Sequence, residues 1–305
     1  MDDRNGDYES GPAGSIGRIE MFVPAHKEIF AESGDLKIHC RYFGKPGGTP
    51  IVIVHGLSYF SYDWIEVADA LSADREVVAI DMRGFGESDW SKDGCYSIYD
   101  NSRDIIAVLD QFDWNQTILL GHSLGGRYTT FCAAKNPNRV CAAISVDSAP
   151  AQAPEGSARV AEIVGMTPPS FASVEEAMEY YSIDPHTSES LRERPRFEAY
   201  LRPVPEGYAV KRDPFFHSKF RVIHETGKRP KPPVDMWEVY AEVQCPLLML
   251  RGTESDMVSS TIASDVRERL PGIDLVEIEA SHHIAGDNPS ALISAVTDFL
   301  AENEL

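Results

Sequence analysis

Short apolar runs alternate with segments of helical periodicity along most of the chain. The runs are typical of strands that are covered on both faces, and the other segments repeat apolar residues every three or four positions. Strands are predicted over residues 36–44, 50–56, 76–86 (with a terminal glycine-rich loop), 117–121, 140–147, 245–252 and 273–280. Helices are predicted over residues 64–71, 105–112, 124–134, 262–270 and from Pro289, where Asn288 is the cap. This alternation predicts an α/β fold with a mostly parallel central sheet and helices on both faces.

The alternation stops after Pro150 and resumes near residue 235. Residues 151–234 are rich in charges and prolines and give no strand signal. One helix is predicted there, with Ser173 and Glu176 in a capping box, and residues 224–236 are interpreted as a linker. Because the insertion is too long for a simple loop, we expect a helical cap over a core formed by residues 27–150 and 235–305.

The first 26 residues are acidic and contain several glycines. They lack the basic and apolar regions of a secretory signal, so we interpret them as a flexible tail and lead-in. No run of about 18 apolar residues occurs, which argues against a membrane-spanning helix.

The formal net charge of −20 disfavours nucleic acids and anionic membranes as partners. The five cysteines have no zinc-site spacing, and most are predicted to be small core residues. Scattered thiols fit a reducing compartment, so a cytoplasmic location is predicted. A monomer and a homodimer both remain possible.

The segment "TILLGHSLGGRYTT" places Ser123 between two glycines where a predicted strand meets a predicted helix. A tight turn alone would explain the glycines. The alternative is a nucleophile elbow, a strained turn that raises a serine hydroxyl above the edge of a sheet. A serine nucleophile needs a histidine base and a carboxylate that orients it.

Candidates for both partners follow predicted strands downstream of Ser123. The carboxylate candidates are Glu254, Asp256 and Asp147, and the histidine candidates are His282 and His283. Catalytic groups gather at the carboxyl ends of parallel strands, which is where these residues lie. Leu57 and Leu124 are the candidate backbone N–H donors of an oxyanion hole, and His55-Gly56 would allow close approach of the first donor.

Four nearby residues have simpler interpretations. We expect Asp81 and Arg83 to fix a loop through ion pairs and hydrogen bonds, and His122 to support the turn at Ser123. Arg127 is one helical turn beyond Ser123, and a neighbouring acid is favoured over a substrate carboxylate as its partner.

Five segments together resemble the α/β-hydrolase fold superfamily, in its order and at similar spacing. They are "VHGLSYFSYDW", "AIDMRGFGESDW", "GHSLGGRYTT", "LRGTESDMVS" and "ASHHIAGDNP", and the resemblance covers residues 27–300. It implies Ser123 as nucleophile, Asp256 as acid and His282 as base, where Ser281 replaces the usual glycine. It also implies an oxyanion hole at Leu57 and Leu124 and a cap after Pro150.

The predicted function is therefore a cofactor-free carboxylic ester hydrolase that uses no metal and acts on a small or medium hydrophobic ester. A lactonase, a thioesterase, a carbon–carbon bond hydrolase and a cofactor-free haloperoxidase share this triad, since the fold does not fix the substrate. Haloalkane dehalogenases and epoxide hydrolases have an aspartate in place of this serine. Ser123 therefore argues against these two activities. A non-catalytic small-molecule receptor is the alternative of another class.

Overall fold

The computed structural model describes residues 24–187 and 190–305, so most of the predicted tail lies outside the described residues. The described residues contain ten strands: β1 (Lys27–Ser33), β2 (Leu36–Gly44), β3 (Gly48–Val54), β4 (Arg75–Ile80), β5 (Thr117–His122), β6 (Val140–Val146), β7 (Leu201–Val204), β8 (Gly207–Val210), β9 (Leu247–Gly252) and β10 (Asp274–Ile278). Eight of them form one sheet in the order β1-β2-β4-β3-β5-β6-β9-β10. The pairs from β4 to β10 are parallel, and β1 and β2 are antiparallel additions at one edge. The predicted α/β fold is confirmed.

Helices cover both faces of this sheet, and others lie within residues 151–234. They are α1 (Ile65–Leu71), α2 (Ile98–Gln111), α3 (Leu124–Lys135), α4 (Pro154–Gly165), α5 (Val174–Tyr180), α6 (Ser190–Tyr200), α7 (Pro214–Thr226), α8 (Met236–Glu242), α9 (Ser260–Arg269), α10 (Ile284–Asp287) and α11 (Pro289–Glu302). Asn288 accepts a hydrogen bond from the Ala291 amide at 3.2 Å, which confirms it as the cap of α11. Among the described residues, no helix has both the length and the apolar character needed to cross a membrane.

The central strands are buried on both faces because successive side chains point to opposite sides. In β3, Val52 and Val54 pack into one apolar layer, whereas Ile51 and Ile53 pack into the other. Burial on both sides explains why these strands appear in the sequence as continuous apolar runs. Cys40 and Cys132 belong to this core, Cys141 and Cys245 pack against it half-buried, and Cys95 is exposed.

The insertion holds four helices, α4 to α7, and also the hairpin of β7 and β8. The expectation of no strands there is wrong, since each four-residue strand is too short to give an alternating pattern and β7 contains Pro203. The Ser173 hydroxyl accepts from the Glu176 amide at 3.2 Å and caps α5 as predicted. The Glu176 carboxylate accepts from the Ala172 amide instead, so the second half of the predicted capping box is not formed. The predicted linker contains the end of α7 and the first residue of α8. The division into core and cap stays a prediction.

Candidate functional site

Ser123 lies between the end of β5 and the start of α3. Its φ of 52° and ψ of −115° are rare for a residue with a side chain. The turn also requires close approach, because a Cβ on Gly125 would lie 2.3 Å from the carbonyl oxygen of His55. The Ser123 amide donates to the Val146 carbonyl at 2.9 Å, which ties the turn to the neighbouring strand. This is the geometry of the predicted elbow.

His282 follows β10 and reaches the serine from the far end of the chain. Its Nε2 lies 3.0 Å from Oγ of Ser123, and the histidine is 7% exposed. His283 points elsewhere, since its ring stacks on Tyr59 with centroids 4.7 Å apart. Burial lowers the pKa of His283, which favours its neutral form. Of the two candidate histidines, the structure brings His282 to Ser123.

Asp147 follows β6 directly and faces the other nitrogen of His282. Its Oδ2 lies 2.5 Å from Nδ1 of His282 and also accepts from the Ser255 hydroxyl at 2.5 Å. Its Oδ1 accepts from the Gly252 amide at 2.9 Å. The side chain is inaccessible to solvent, and these hydrogen bonds satisfy a carboxylate that would otherwise be costly to bury. Asp147 was one of the three candidate acids.

The prediction that Asp256 orients His282 is wrong. Asp256 instead forms a bidentate ion pair with Arg159 of α4, with distances of 2.5 and 2.8 Å. This pair lowers the pKa of Asp256. The end of β9 and the loop after it do contribute to the site, but through the Gly252 amide and the Ser255 hydroxyl, which both bind Asp147. Glu254, the third candidate, is exposed.

The sequence feature that points to Asp147 as the acid is its position directly after a buried strand. Ser123 and Asp147 each follow the last residue of a buried strand, and the register pairs those two residues, His122 and Val146, on adjacent strands. Both also have a positive φ, 52° and 42°. An aspartate at the end of "CAAISVD" therefore occupies the position next to the elbow, whereas the family pattern favoured the later loop.

The loop after β3 approaches the elbow as predicted. A Cβ on Gly56 would lie 2.6 Å from Nδ1 of His122 and 3.1 Å from Cβ of Ser123. The buried His55 holds this loop, since its Nδ1 lies 2.7 Å from the Gly56 carbonyl and its Nε2 accepts from the Met82 amide at 2.9 Å. The amides of Leu57 and Leu124 donate to no other described residue. His55 is therefore a positioning residue, whereas the sequence alone indicates it only as the neighbour of Gly56.

His122 supports the site from behind. Its Nε2 donates to the carbonyl of His282 at 2.9 Å, so the base is held through its backbone as well as its ring. Burial, with further contributions from His282 and His283, holds the pKa of His122 well below its usual value. A neutral ring with this donor fits the predicted supporting role.

The glycine-rich loop after β4 is fixed by buried hydrogen bonds of Asp81 and by a buried ion pair of Arg83. Asp81 binds the Nδ1 of His39 at 2.8 Å and the backbone amides of Ser61 and Glu87. Arg83 forms a bidentate pair with Asp104, at 2.6 Å for each hydrogen bond. Both residues have the structural roles that the sequence predicted.

A cavity of about 870 Å³ opens above Ser123, lined by residues of the core and of the insertion. Apolar residues such as Val160, Ile163 and Ile223 form part of its wall. Arg127 also lines it, and its hydrogen bond is to the Ala149 carbonyl at 3.5 Å. The favoured acidic neighbour of Arg127 is not found among the described residues. No group of three or more metal-ligating side chains is placed to hold a metal ion in the ranges 24–187 and 190–305.

Comparison with known proteins agrees with this architecture. The model of the α/β-hydrolase fold family matches residues 49–289. The chain belongs to this family. The resemblance inferred from the five segments is therefore confirmed.

Three similar proteins illustrate the family relationship. A Mesorhizobium japonicum protein named 2-(acetamidomethylene)succinate hydrolase is 26% identical over 257 residues, covering 84% of this chain and 89% of its own. The 3-hydroxybutyrate-oligomer hydrolase of Cupriavidus necator is 25% identical over 281 residues, with coverage of 88% and 91%. An α/β hydrolase structure from Novosphingobium aromaticivorans has a TM-score of 0.74 and 29% identity, with coverage of 90% and 98%. These names support hydrolase activity.

Proposed function

We propose that the chain is a serine hydrolase that cleaves a carboxylic ester through an acyl-enzyme. Ser123 is the nucleophile, His282 the general base and Asp147 the carboxylate that orients the base. The observation that carries the proposal is the continuous contact from Oγ of Ser123 through His282 to Asp147, at 3.0 and 2.5 Å. Each distance is within hydrogen-bonding reach, which is the geometric requirement for an activated serine.

The reaction follows from this arrangement. Ser123 attacks the ester carbonyl carbon while Nε2 of His282 takes the hydroxyl proton. The carbon–oxygen bond to the leaving group then breaks, and His282 returns the proton to the departing alcohol. A water molecule next attacks the acyl group, again through His282, and releases the carboxylic acid and free Ser123. Asp147 keeps the proton of Nδ1 in place and stabilises the charged ring between the steps.

The oxyanion of each tetrahedral intermediate is assigned to the amides of Leu57 and Leu124. Neither amide donates to another described residue. Gly56 lets the loop that carries Leu57 come close to the turn that carries Leu124. Donors fixed before the reaction stabilise the developing charge without rearrangement. We propose that residues 151–234 act as the cap, because they supply part of the cavity wall above Ser123.

The test measures hydrolysis of p-nitrophenyl acetate and butyrate, together with the intact mass of the protein during turnover. Ser123→Ala is expected to lower kcat on the order of 10⁴-fold or more and to abolish the acyl adduct. Ser294→Ala, an exposed serine of α11, is the matched control and keeps wild-type turnover. Equal turnover by wild type and Ser123→Ala would refute the proposed nucleophile.

The same triad serves other acyl substrates, so lactones, thioesters and a carbon–carbon bond substrate belong in the panel. A receptor without turnover would bind ligands and hydrolyse none of them. The free amides at Leu57 and Leu124 favour an enzyme over a receptor, since binding alone does not require donors at this position.

A further inference from the structure

The cavity above Ser123 is cationic in a strongly acidic protein. The whole chain has 28 basic against 48 acidic residues, whereas the described cavity wall has six basic side chains and two carboxylates. The six are Arg127, Arg159, Arg196, Lys219, Arg229 and Lys231. The cavity wall above Ser123 therefore has the opposite sign of charge to the chain as a whole.

Two of these cations are neutralised by the protein itself. Arg159 is paired with Asp256, and Arg196 is paired with Asp63, whose side chain is 1% exposed. Both guanidinium groups therefore have carboxylate partners without any ligand.

Arg127 has no such partner. It lies four residues after Ser123 on α3, and its backbone amide donates to the Ser123 carbonyl. Its hydrogen bond to the Ala149 carbonyl is long, at 3.5 Å, and no described carboxylate forms an ion pair with it. Burial lowers the pKa of Arg127, because the charged group has lost water without gaining an acid. Burying a guanidinium in this way lowers the stability of the folded protein unless an anion pairs with it.

Three further cations on the insertion side of the cavity, Lys219, Arg229 and Lys231, add positive charge to it. Lys219 and Arg229 also form no ion pair with a described carboxylate, and burial lowers the pKa of each. The hydrogen bond of Arg229 is to the Ser157 carbonyl. Lys219, Arg229 and Lys231 are exposed and stay hydrated, so Arg127 is the half-buried cation of the described wall that a neutral ester would leave without an anion.

We propose that the substrate carries a carboxylate that binds Arg127, so that the enzyme acts on monoesters of dicarboxylic acids or similar anionic esters. The inference rests on the proposed function for the reaction itself. Arg127 follows the nucleophile by one helical turn, about 6 Å along the helix axis, and lines the same cavity as Ser123, so one substrate can contact both residues. The planar guanidinium can hold a carboxylate through two parallel hydrogen bonds, which fixes the orientation of the ester as well as its position.

The experiment compares monoethyl succinate, glutarate and adipate with ethyl butanoate, pentanoate and hexanoate, by titration of the released acid. We expect wild type to favour one of the anionic esters in kcat/KM. Arg127→Gln should lower the ratio of anionic to neutral kcat/KM by about 10- to 100-fold, mainly through KM, since a charge-assisted contact is lost. Arg127→Lys should give an intermediate ratio because it keeps the charge without the planar fork. Arg221→Gln, an exposed arginine of α7 paired with Glu225, is the matched control and keeps the wild-type ratio.

Calorimetric titration of the wild-type, Arg127→Gln and Arg127→Lys proteins with glutarate separates the two proposals. Turnover of neutral esters at least equal to that of the monoesters, with a ratio unchanged in Arg127→Gln, would overturn the anionic substrate and leave the esterase proposal intact. Absence of any ester turnover, with glutarate binding that requires Arg127, would overturn the esterase proposal and retain the anion site. Absence of ester turnover together with absence of glutarate binding would overturn both the esterase proposal and the anion site. If Arg127→Gln does not fold, the Arg127→Lys ratio and wild-type glutarate binding decide.

Discussion

Asp147 and His282 are 135 residues apart in the chain and meet with 2.5 Å between Oδ2 and Nδ1. The contact joins the end of β6 to the loop after β10, two strands that are separated in the sheet by β9. The last residue of β9 and the loop after it bridge them, because Gly252 and Ser255 both donate to Asp147. The carboxylate is thus held by three donors, one from β9 and two from the loops after β9 and β10, before any substrate arrives.

The first prediction concerns the identity of the acid. Asp147→Asn should lower kcat for ester hydrolysis on the order of 10⁴-fold, because an amide cannot hold the imidazole in the required tautomer. Asp256→Asn should lower kcat by less than about 10-fold, since it loses an ion pair that is partly exposed. Steady-state kinetics of the two matched variants decide between the acids. The opposite ranking would restore Asp256 as the catalytic partner.

The second prediction concerns the loop that carries Leu57. Gly56→Ala should lower kcat on the order of 10²-fold with a smaller change in KM, because the new methyl would lie 2.6 Å from His122 and displace the amide. Gly272→Ala is the control, since a methyl there meets no atom within 4 Å. Kinetics and thermal melting of both variants are compared. A Gly56→Ala enzyme with wild-type kcat would argue against Leu57 as an oxyanion donor.

The third prediction concerns the ion pair between Asp63 and Arg196, which links the loop after β3 to α6. Asp63→Asn leaves the Arg196 guanidinium without its carboxylate in a buried site, and we expect a loss of about 3–5 kcal/mol in the free energy of unfolding. Asp110→Asn breaks the exposed pair with Arg139 and should cost less than about 1 kcal/mol. Urea unfolding measures both. Similar costs for the two variants would show that the Asp63 pair is screened by water.

The fourth prediction concerns acid stability. Burial lowers the pKa of His55, His122 and His283 in the folded state, so below about pH 6.5 the unfolded chain binds more protons than the native protein. The free energy of unfolding should therefore fall as the pH drops through 6.5 and be insensitive to these groups above it. Each histidine contributes a slope of up to about 1.4 kcal/mol per pH unit.

His122→Asn removes one of these titrating groups. It should reduce the slope of the free energy of unfolding against pH by up to the contribution of one proton, about 1.4 kcal/mol per pH unit. His186→Asn, at an exposed position, is the matched control and keeps the wild-type slope. Urea unfolding at pH 7.5, 6.5 and 5.5 gives the slopes. An unchanged slope in His122→Asn would mean that this histidine is protonated in the native state.

The sequence by itself determined strands β2 to β6, β9 and β10 of the sheet, the elbow and the two candidate histidines, whereas the edge strand β1 was not predicted. Continuous apolar runs such as that of β5 identify strands buried on both faces, and the elbow glycines are dictated by local close contacts such as that of Gly125. His282 is found in the predicted loop because that loop follows a strand of the same sheet. These features depend on local patterns, which a single sequence contains. The hairpin in the insertion lacked such a pattern, because its strands have four residues each.

Only the tertiary structure decided which acid contacts His282 and which cation of the cavity has no partner within the described protein. Asp147 and Asp256 both follow core strands, but their roles differ. Asp147 contacts the ring of His282, whereas Asp256 forms an ion pair with Arg159 of α4. The missing partner of Arg127 is likewise a property of packing, since no acid of this acidic chain is placed beside it in the described structure. Contacts between distant segments depend on directions of side chains that spacing along the chain does not specify.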